Sequence, residues 1–261
     1  MLVSEFMLQQ TQTSRVVVPW SRFLVAFPTP SACADARLSE VLTLWSGLGY
    51  HRRAKALHDT ARMIRDDFEG AVPSDVQALR RLPGVGEYTA HAVASFAFGL
   101  PVAVLDTNVG RVLARAIANR PLRAAEAREI ARSLLPRNDS ALFNQSIMDL
   151  GAQFCKSSPR CADCPMARVC VWRREGGSDP APTSAGVSRP QSTFEGSDRQ
   201  VRGRVLAALR QHAQSRSQLL EHLGVPELRG ASVLAGLLRD GLIERHGRVV
   251  SLAGQSTCSK V

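Results

Sequence analysis

The chain has 261 residues, 44% hydrophobic and 21% charged, with a formal charge of +10 at pH 7. That balance excludes a disordered or collagen-like polymer. With no apolar run near the roughly 20 residues that span a bilayer and no signal-peptide order at the start, no membrane role and a cytoplasmic location are expected. The basic excess fits either a polyanionic partner, since each phosphate neutralised by Lys or Arg releases counterions, or a solvated basic surface.

Apolar residues recur at helical spacing through the first two thirds, as at Val41, Leu42, Trp45 and Leu48 or Val109, Val112, Leu113 and Ile117. Pro and Gly punctuate this pattern at 27–30, 70–73, 82–86 and 99–101, and alternating strand patterns are nearly absent. An all-α domain over 1–174 is therefore expected, closed by a cysteine-rich loop. Residues 175–198 are rich in Gly, Pro, Ser and Thr and read as a flexible linker. From 199 to 261 the pattern gives helices near 199–212, 218–223 and 231–240. A hairpin follows, joined at His246-Gly247, and together these suggest a small winged-helix-like α+β domain.

Three stretches carry chemistry. Leu82-Pro83-Gly84-Val85-Gly86 precedes a helix over 87–98, and its glycines can present successive backbone N–H groups to a phosphate. A plain turn with Gly as C-cap is the alternative. Asp106, before another apolar helix, is either an N-cap or a catalytic carboxylate. Cys155, Cys161, Cys164 and Cys170 fall within sixteen residues. Zinc ribbons usually place their pairs about 15–20 residues apart, so this compact set favours an iron-sulfur loop. Lys156, Arg160 and Arg168 between the thiols could face phosphate, and Cys33 and Cys258 offer no disulfide framework.

Together, LPGVGEYTA (82–90), VLDTNVGRVLAR (104–115), FNQSIMDLG (143–151) and the four cysteines resemble the helix-hairpin-helix DNA glycosylases of the endonuclease III superfamily. VSEFMLQQTQ (3–12) and LWSGLGYHRRA (44–54) resemble, more narrowly, its MutY-type adenine glycosylases. The resemblance implies a [4Fe–4S] cluster on the four cysteines. It also implies a monomeric enzyme that acts on duplex DNA at the nucleoid and removes adenine opposite 8-oxoguanine or guanine in base-excision repair. By the same matching, Glu5 is the acid that protonates adenine, and its apolar and amide neighbours would raise its pKa. Asp106 stabilises the cationic sugar, and Tyr88 and Asn108 line the catalytic site. Gln10, Leu48 and Tyr50 wedge into the duplex, and Leu82, Gly84, Val85 and Gly86 form the DNA-binding hairpin. Trp45, Leu48 and Tyr50 as core residues of a helix end remain an equal alternative.

Where strand-cleaving relatives carry a Lys nucleophile, this chain has Tyr88, and a phenol forms no Schiff base. A monofunctional glycosylase is the expectation. The alternatives are a glycosylase for an oxidised pyrimidine or a mismatched thymine, or a non-catalytic iron-sulfur DNA-binding protein. The chain departs from the family pattern in two places. Five residues, where six are usual, separate the first two cysteines, and only four residues precede Glu5, where about thirty are usual. As written, the first helix is expected to fray and activity to be weak. The C-terminal segment also lacks the Nudix-like pattern of many relatives, so its role is left between DNA contact and packing.

Overall fold

The computed structural model describes residues 1–187 and 193–255, so Cys258 and residues 188–192 of the expected linker lie outside the described residues. The chain divides into two compact units that cut across the expected segments. One joins Leu2–Pro73 and Arg81–Gly84 to the described residues from 193 onward, and the other holds Ser74–Arg80 and the described residues from Val85.

The first unit opens with α1 (Leu2–Leu8), α2 (Thr13–Ala26), α3 (Pro30–Asp35), α4 (Leu38–Leu44) and α5 (Arg52–Asp67). The apolar stripe of α5, Ala54, Leu57, Ala61 and Ile64, is buried at the spacing of one helix face. Pro30 starts α3 where its missing N–H costs nothing, and the Thr29 hydroxyl caps it by accepting from the Ala32 N–H at 3.1 Å. The first helix is formed from Leu2 onward. Leu2, Phe6 and Met7 are buried, and Arg53 donates to the carbonyls of Phe6 and Met7 at 3.0 Å each. Those last-turn carbonyls would otherwise lack partners, and the guanidinium charge also suits the negative end of the helix.

The second unit contains α6 (Val76–Arg81, its last residue counted with the first unit), α7 (Glu87–Phe98), α8 (Thr107–Val112), α9 (Ala124–Leu134), α10 (Ser140–Gln153) and α11 (Val171–Glu175). A π-helical turn, Leu113–Ala118, continues α8 and ends at Asn119 in the left-handed region. Its core joins Val109, Leu113 and Ala114 to Leu122, Ala127 and Ala131.

Within the expected linker, residues 179–187 form a docked strap, while 175–178 and 193–196 are exposed. Pro180, Ala181 and Ser184 are buried, the Ser184 hydroxyl accepts from the Leu122 N–H at 3.0 Å, and the Ala185 N–H donates to the Leu122 carbonyl at 2.8 Å. Composition hides this because a strap needs few apolar side chains when backbone groups and one ion pair, Arg115 to Asp179, secure it.

The C-terminal part of the first unit has the expected winged-helix order: α12 (Asp198–Gln211), β1 (Gln214–Ser215), α13 (Arg216–Leu223), α14 (Glu227–Arg239), β2 (Ile243–His246) and β3 (Val249–Leu252). The sheet runs β1-β3-β2, all antiparallel, with Ile243 opposite Leu252 and His246 opposite Val249. The hairpin turn is therefore Gly247-Arg248, one residue later than expected, with Gly247 at φ 62°. A left-handed first turn residue matches the twist of the strands, and glycine adopts it without strain. Val201, Val205, Leu206 and Leu209 of α12 are buried, as are Leu219, Leu237 and Leu252 on the elements α12 packs against, α13, α14 and β3.

Candidate functional site

Asp106 ends an extended approach and caps α8. Its Oδ1 accepts from the Val109 N–H at 2.7 Å and its Oδ2 from the Asn108 side-chain amide at 2.7 Å. Burial pushes its carboxyl above the usual range, against the Val109 and Asn108 hydrogen bonds and the Arg111 charge, which pull it down. The N-cap and catalytic readings are therefore compatible: one oxygen caps the helix while the group stays desolvated. The relay continues from Asn108, whose Oδ1 accepts from Arg111 at 2.6 Å, to Arg111, which donates to the carbonyls of Cys155 at 2.7 Å and Gly151 at 3.0 Å.

Two residues that sequence reasoning passed over hold this seat. Asn144 is buried. It accepts from the Val104 N–H at 3.1 Å and donates to the Val102 carbonyl at 2.8 Å and the Ser95 hydroxyl at 3.0 Å, fixing the stretch that leads to Asp106. Gly151 lets α10 cross α8 closely, for a Cβ there would lie 2.6 Å from Asn108 Cβ and 2.7 Å from the Asn108 carbonyl oxygen. Gly151→Ala is expected to cost about 1–3 kcal/mol by overpacking. It should also lower any activity that depends on Asp106, read as a fall in thermal midpoint together with a fall in single-turnover rate.

The hairpin residues divide by burial. Leu82 and Val85 are core side chains, while Gly84 and Gly86 expose backbone. Gly84, at φ 75°, also has no room for a side chain, since a Cβ would come within 2.8 Å of Ala56 Cβ and 3.0 Å of Phe6. The Thr60 hydroxyl fixes the turn by donating to the Pro83 carbonyl at 2.8 Å. Tyr88 lies half-buried on the first turn of α7 and lines an open cleft of about 580 Å³ with His91, Leu105 and Gly186.

Glu5, in the other unit, is buried with 6% of its surface exposed. Of the three expected wedge residues, Leu48 is buried, as is Trp45, so burial favours the core reading for both. Gln10 is exposed at φ 57° and Tyr50 half-buried at φ 45°. Such backbone is costly for residues with a Cβ and persists only where neighbours enforce it. Here Arg53 does so: besides α1, it donates to the carbonyls of Gln9, Leu48 at 3.1 Å and Gly49 at 3.3 Å and to the Thr11 hydroxyl at 3.0 Å. Nothing in the local sequence distinguishes Arg53 from Arg52 beside it.

Comparison with known proteins matches residues 3–137 to the HhH-GPD superfamily of base excision DNA repair proteins. The chain belongs to this family. An adenine DNA glycosylase of Mycolicibacterium smegmatis is 44% identical, over 97% of this chain and 87% of that protein. A thermostable thymine-DNA glycosylase superposes with a TM-score of 0.61 at 30% identity, covering 66% of this chain and 82% of the other. A trapped endonuclease III–DNA covalent intermediate gives 0.60 at 27% identity, over 66% and 83%. The mostly helical fold is thus that of the HhH-GPD glycosylases, with a winged-helix-like addition.

This HhH-GPD chain also gathers its four cysteines. Cys155, Cys161, Cys164 and Cys170 line one small cavity of about 30 Å³, walled by Val112, Leu150, Phe154 and Trp172. Among the described residues, no three His, Cys, Asp or Glu side chains converge on a point where one metal ion would sit. A single zinc needs its sulfurs at about 2.3 Å from one centre. A cluster takes each thiolate on a separate iron, so thiols spread around an apolar cavity fit it better. The shortened first spacing is accommodated, since all four thiols still reach the same cavity. No helix among the described residues is long and apolar enough to cross a membrane.

Proposed function

We propose that the chain is a monofunctional adenine DNA glycosylase that removes adenine from mispairs with 8-oxoguanine or guanine in duplex DNA. The observation that carries this reading is the seat of Asp106, a desolvated carboxylate held by Val109 and Asn108 beneath a helix start. The target nucleotide leaves the stack, and the bond between its sugar C1′ and the base N9 lengthens. Positive charge develops on the sugar, and Asp106 is placed to stabilise it electrostatically. Glu5 delivers a proton to adenine N7, so the base departs without net charge. Water adds to C1′ and passes its proton to the Glu5 carboxylate, leaving free adenine, an abasic site and the regenerated acid. Tyr88 supplies no amine, so the strand stays intact. Gly84 and Gly86 offer backbone to phosphate, with Leu82 and Val85 as buried anchors, and Gln10 and Tyr50 form the wedge with Leu48 as buried support.

The four cysteines would hold a [4Fe–4S] cluster, whose role in this reading is to brace the loop from 155 to 170. Their donor set and shared cavity support it. The test is incubation of duplexes containing adenine opposite 8-oxoguanine, adenine opposite guanine, mismatched thymine or thymine glycol, with and without alkali. Breaks at adenine that require alkali are expected. Glu5→Gln should slow them by about a hundredfold or more, the scale of a lost general acid. Breaks at thymine alone, or without alkali, would refute the assignment.

A further inference from the structure

Arg199, near the start of α12 in the C-terminal segment, reaches residues far earlier in the same unit. Its Nη1 donates to the Tyr50 hydroxyl at 2.6 Å, and its guanidinium carbon lies 5.6 Å from the Tyr50 ring centroid. The Arg53 guanidinium carbon lies 5.2 Å from the same centroid. The loop that carries Tyr50 is bent by positive φ at Gly47, Gly49 and Tyr50 itself, and Arg53 holds the Leu48 and Gly49 carbonyls. Backbone and ring are thus secured separately, the first by Arg53 and the second also by Arg199.

The attachment of the C-terminal segment is itself ionic and close to this loop. Asp240 receives Arg52 at 2.7 Å and also Arg202, three residues after Arg199 on α12. Burial pushes the Asp240 carboxyl up, but the hydrogen bonds from Arg52 and Arg202 outweigh it and hold it below the usual range. The Ser39 hydroxyl donates to the Gly254 carbonyl at 3.4 Å. Arg199 is therefore presented to Tyr50 by an anchored helix, and the charge-assisted bond it makes is of the stronger class.

We propose that Arg199 is a positioning residue for Tyr50, through which the C-terminal winged-helix-like segment sets the wedge that recognises the mispair. This rests on the wedge reading of Tyr50 above. A ring driven between bases must resist deflection, and a side chain fixed in advance loses less freedom on binding. The C-terminal segment thereby acts on recognition through protein contact and leaves the chemistry to residues elsewhere.

The experiment compares Arg199→Ala, Arg199→Gln and Tyr50→Ala in the full chain. It measures affinity for mispaired and fully paired duplexes and the single-turnover rate at saturating enzyme. Arg199→Ala is expected to weaken mispair affinity about tenfold, the scale of one charge-assisted hydrogen bond, with paired-duplex affinity and saturating rate changed by less than about twofold. Arg199→Gln retains a donor for the phenol and should recover most of the loss. A residue acting only as a phosphate contact would weaken both duplexes alike, with Gln no better than Ala, and that result overturns the proposal. So does tighter or faster action by Arg199→Ala, which would make the contact a latch. If Tyr50→Ala retains full discrimination, the wedge reading falls and the proposal with it. If Tyr50→Ala loses discrimination while Arg199→Ala retains it, the proposal alone falls.

Discussion

Asp106→Asn is expected to lower the single-turnover rate of adenine release about a thousandfold, with duplex affinity within about twofold, the pattern of a lost electrostatic partner in the transition state. The substitution is nearly isosteric. The retained amide oxygen can still accept from the Val109 N–H, so the cap of α8 survives. The negative charge is removed, and the Asn108 amide loses the Oδ2 acceptor it uses at 2.7 Å. Because burial pushes the Asp106 carboxyl up, the ionised form is the one the fold disfavours. The sign for stability follows. A carboxyl whose folded pKa lies above its unfolded value of about 3.9 favours the native state below that value, and this contribution is lost as pH rises through the folded pKa. At neutral pH, relief of the buried charge in Asp106→Asn therefore offsets the lost Asn108 hydrogen bond, and the thermal midpoint should change by no more than about 4 °C. The wild-type rate should fall on the acid side with an apparent pKa above the usual carboxylate range. An acid limb at the ordinary value, or a variant of near-normal rate, would show that Asp106 is merely a cap.

Legibility in the sequence followed locality. The helices of the first 174 residues, the winged-helix order and the grouping of the cysteines all follow from spacing within short stretches, and each could be read directly. Asp106 and Asn108, paired by the family resemblance and two residues apart, are joined by a hydrogen bond at 2.7 Å. What could not be read depends on contacts between distant segments. Arg53 looks like any arginine on a basic helix until its carbonyl partners near Gln9 and Leu48 arrive from elsewhere. Gly151 reads as a weak point in a helix until Asn108 is seen against it. The strap at 179–187 reads as linker because composition measures apolar burial, whereas its hold is made by Asp179, Ser184 and backbone groups.

That strap yields the second large effect. Arg115 is almost wholly buried, with 1% of its side chain exposed, inside the π-helical turn. It forms a two-point pair with Asp179, Nε to Oδ1 at 2.8 Å and Nη2 to Oδ2 at 2.6 Å. It also donates to the carbonyls of Lys156 at 2.6 Å and Ser157 at 3.3 Å, and lies 5.4 Å from the Trp172 ring centroid. One side chain thus joins α8's continuation, the cysteine loop and the strap. Arg115→Met keeps the volume but strands these acceptors in a site with little water. The expected cost is about 3 kcal/mol, at the lower end for a broken buried pair because Asp179 retains partial exposure. At roughly 2–4 °C per kcal/mol for a chain of this size, the thermal midpoint should fall about 6–12 °C. Asp179→Asn should cost about 1 kcal/mol, since its amide oxygen can still accept from Arg115. The Arg115 hydrogen bonds hold the Asp179 carboxyl below the usual range, so its contribution is present above about pH 4 and lost as pH falls through the lower folded pKa. The asparagine variant should lack that portion of the acid dependence. Release of the strap would also uncover the start of α8, where the Thr107 hydroxyl donates to the Gly186 carbonyl at 2.9 Å and Gly110 leaves room for the Ala185 carbonyl. Hydrogen exchange at 179–187 should rise in Arg115→Met together with exchange at 107–110. Fast exchange at 179–187 already in the wild type would restore the linker reading.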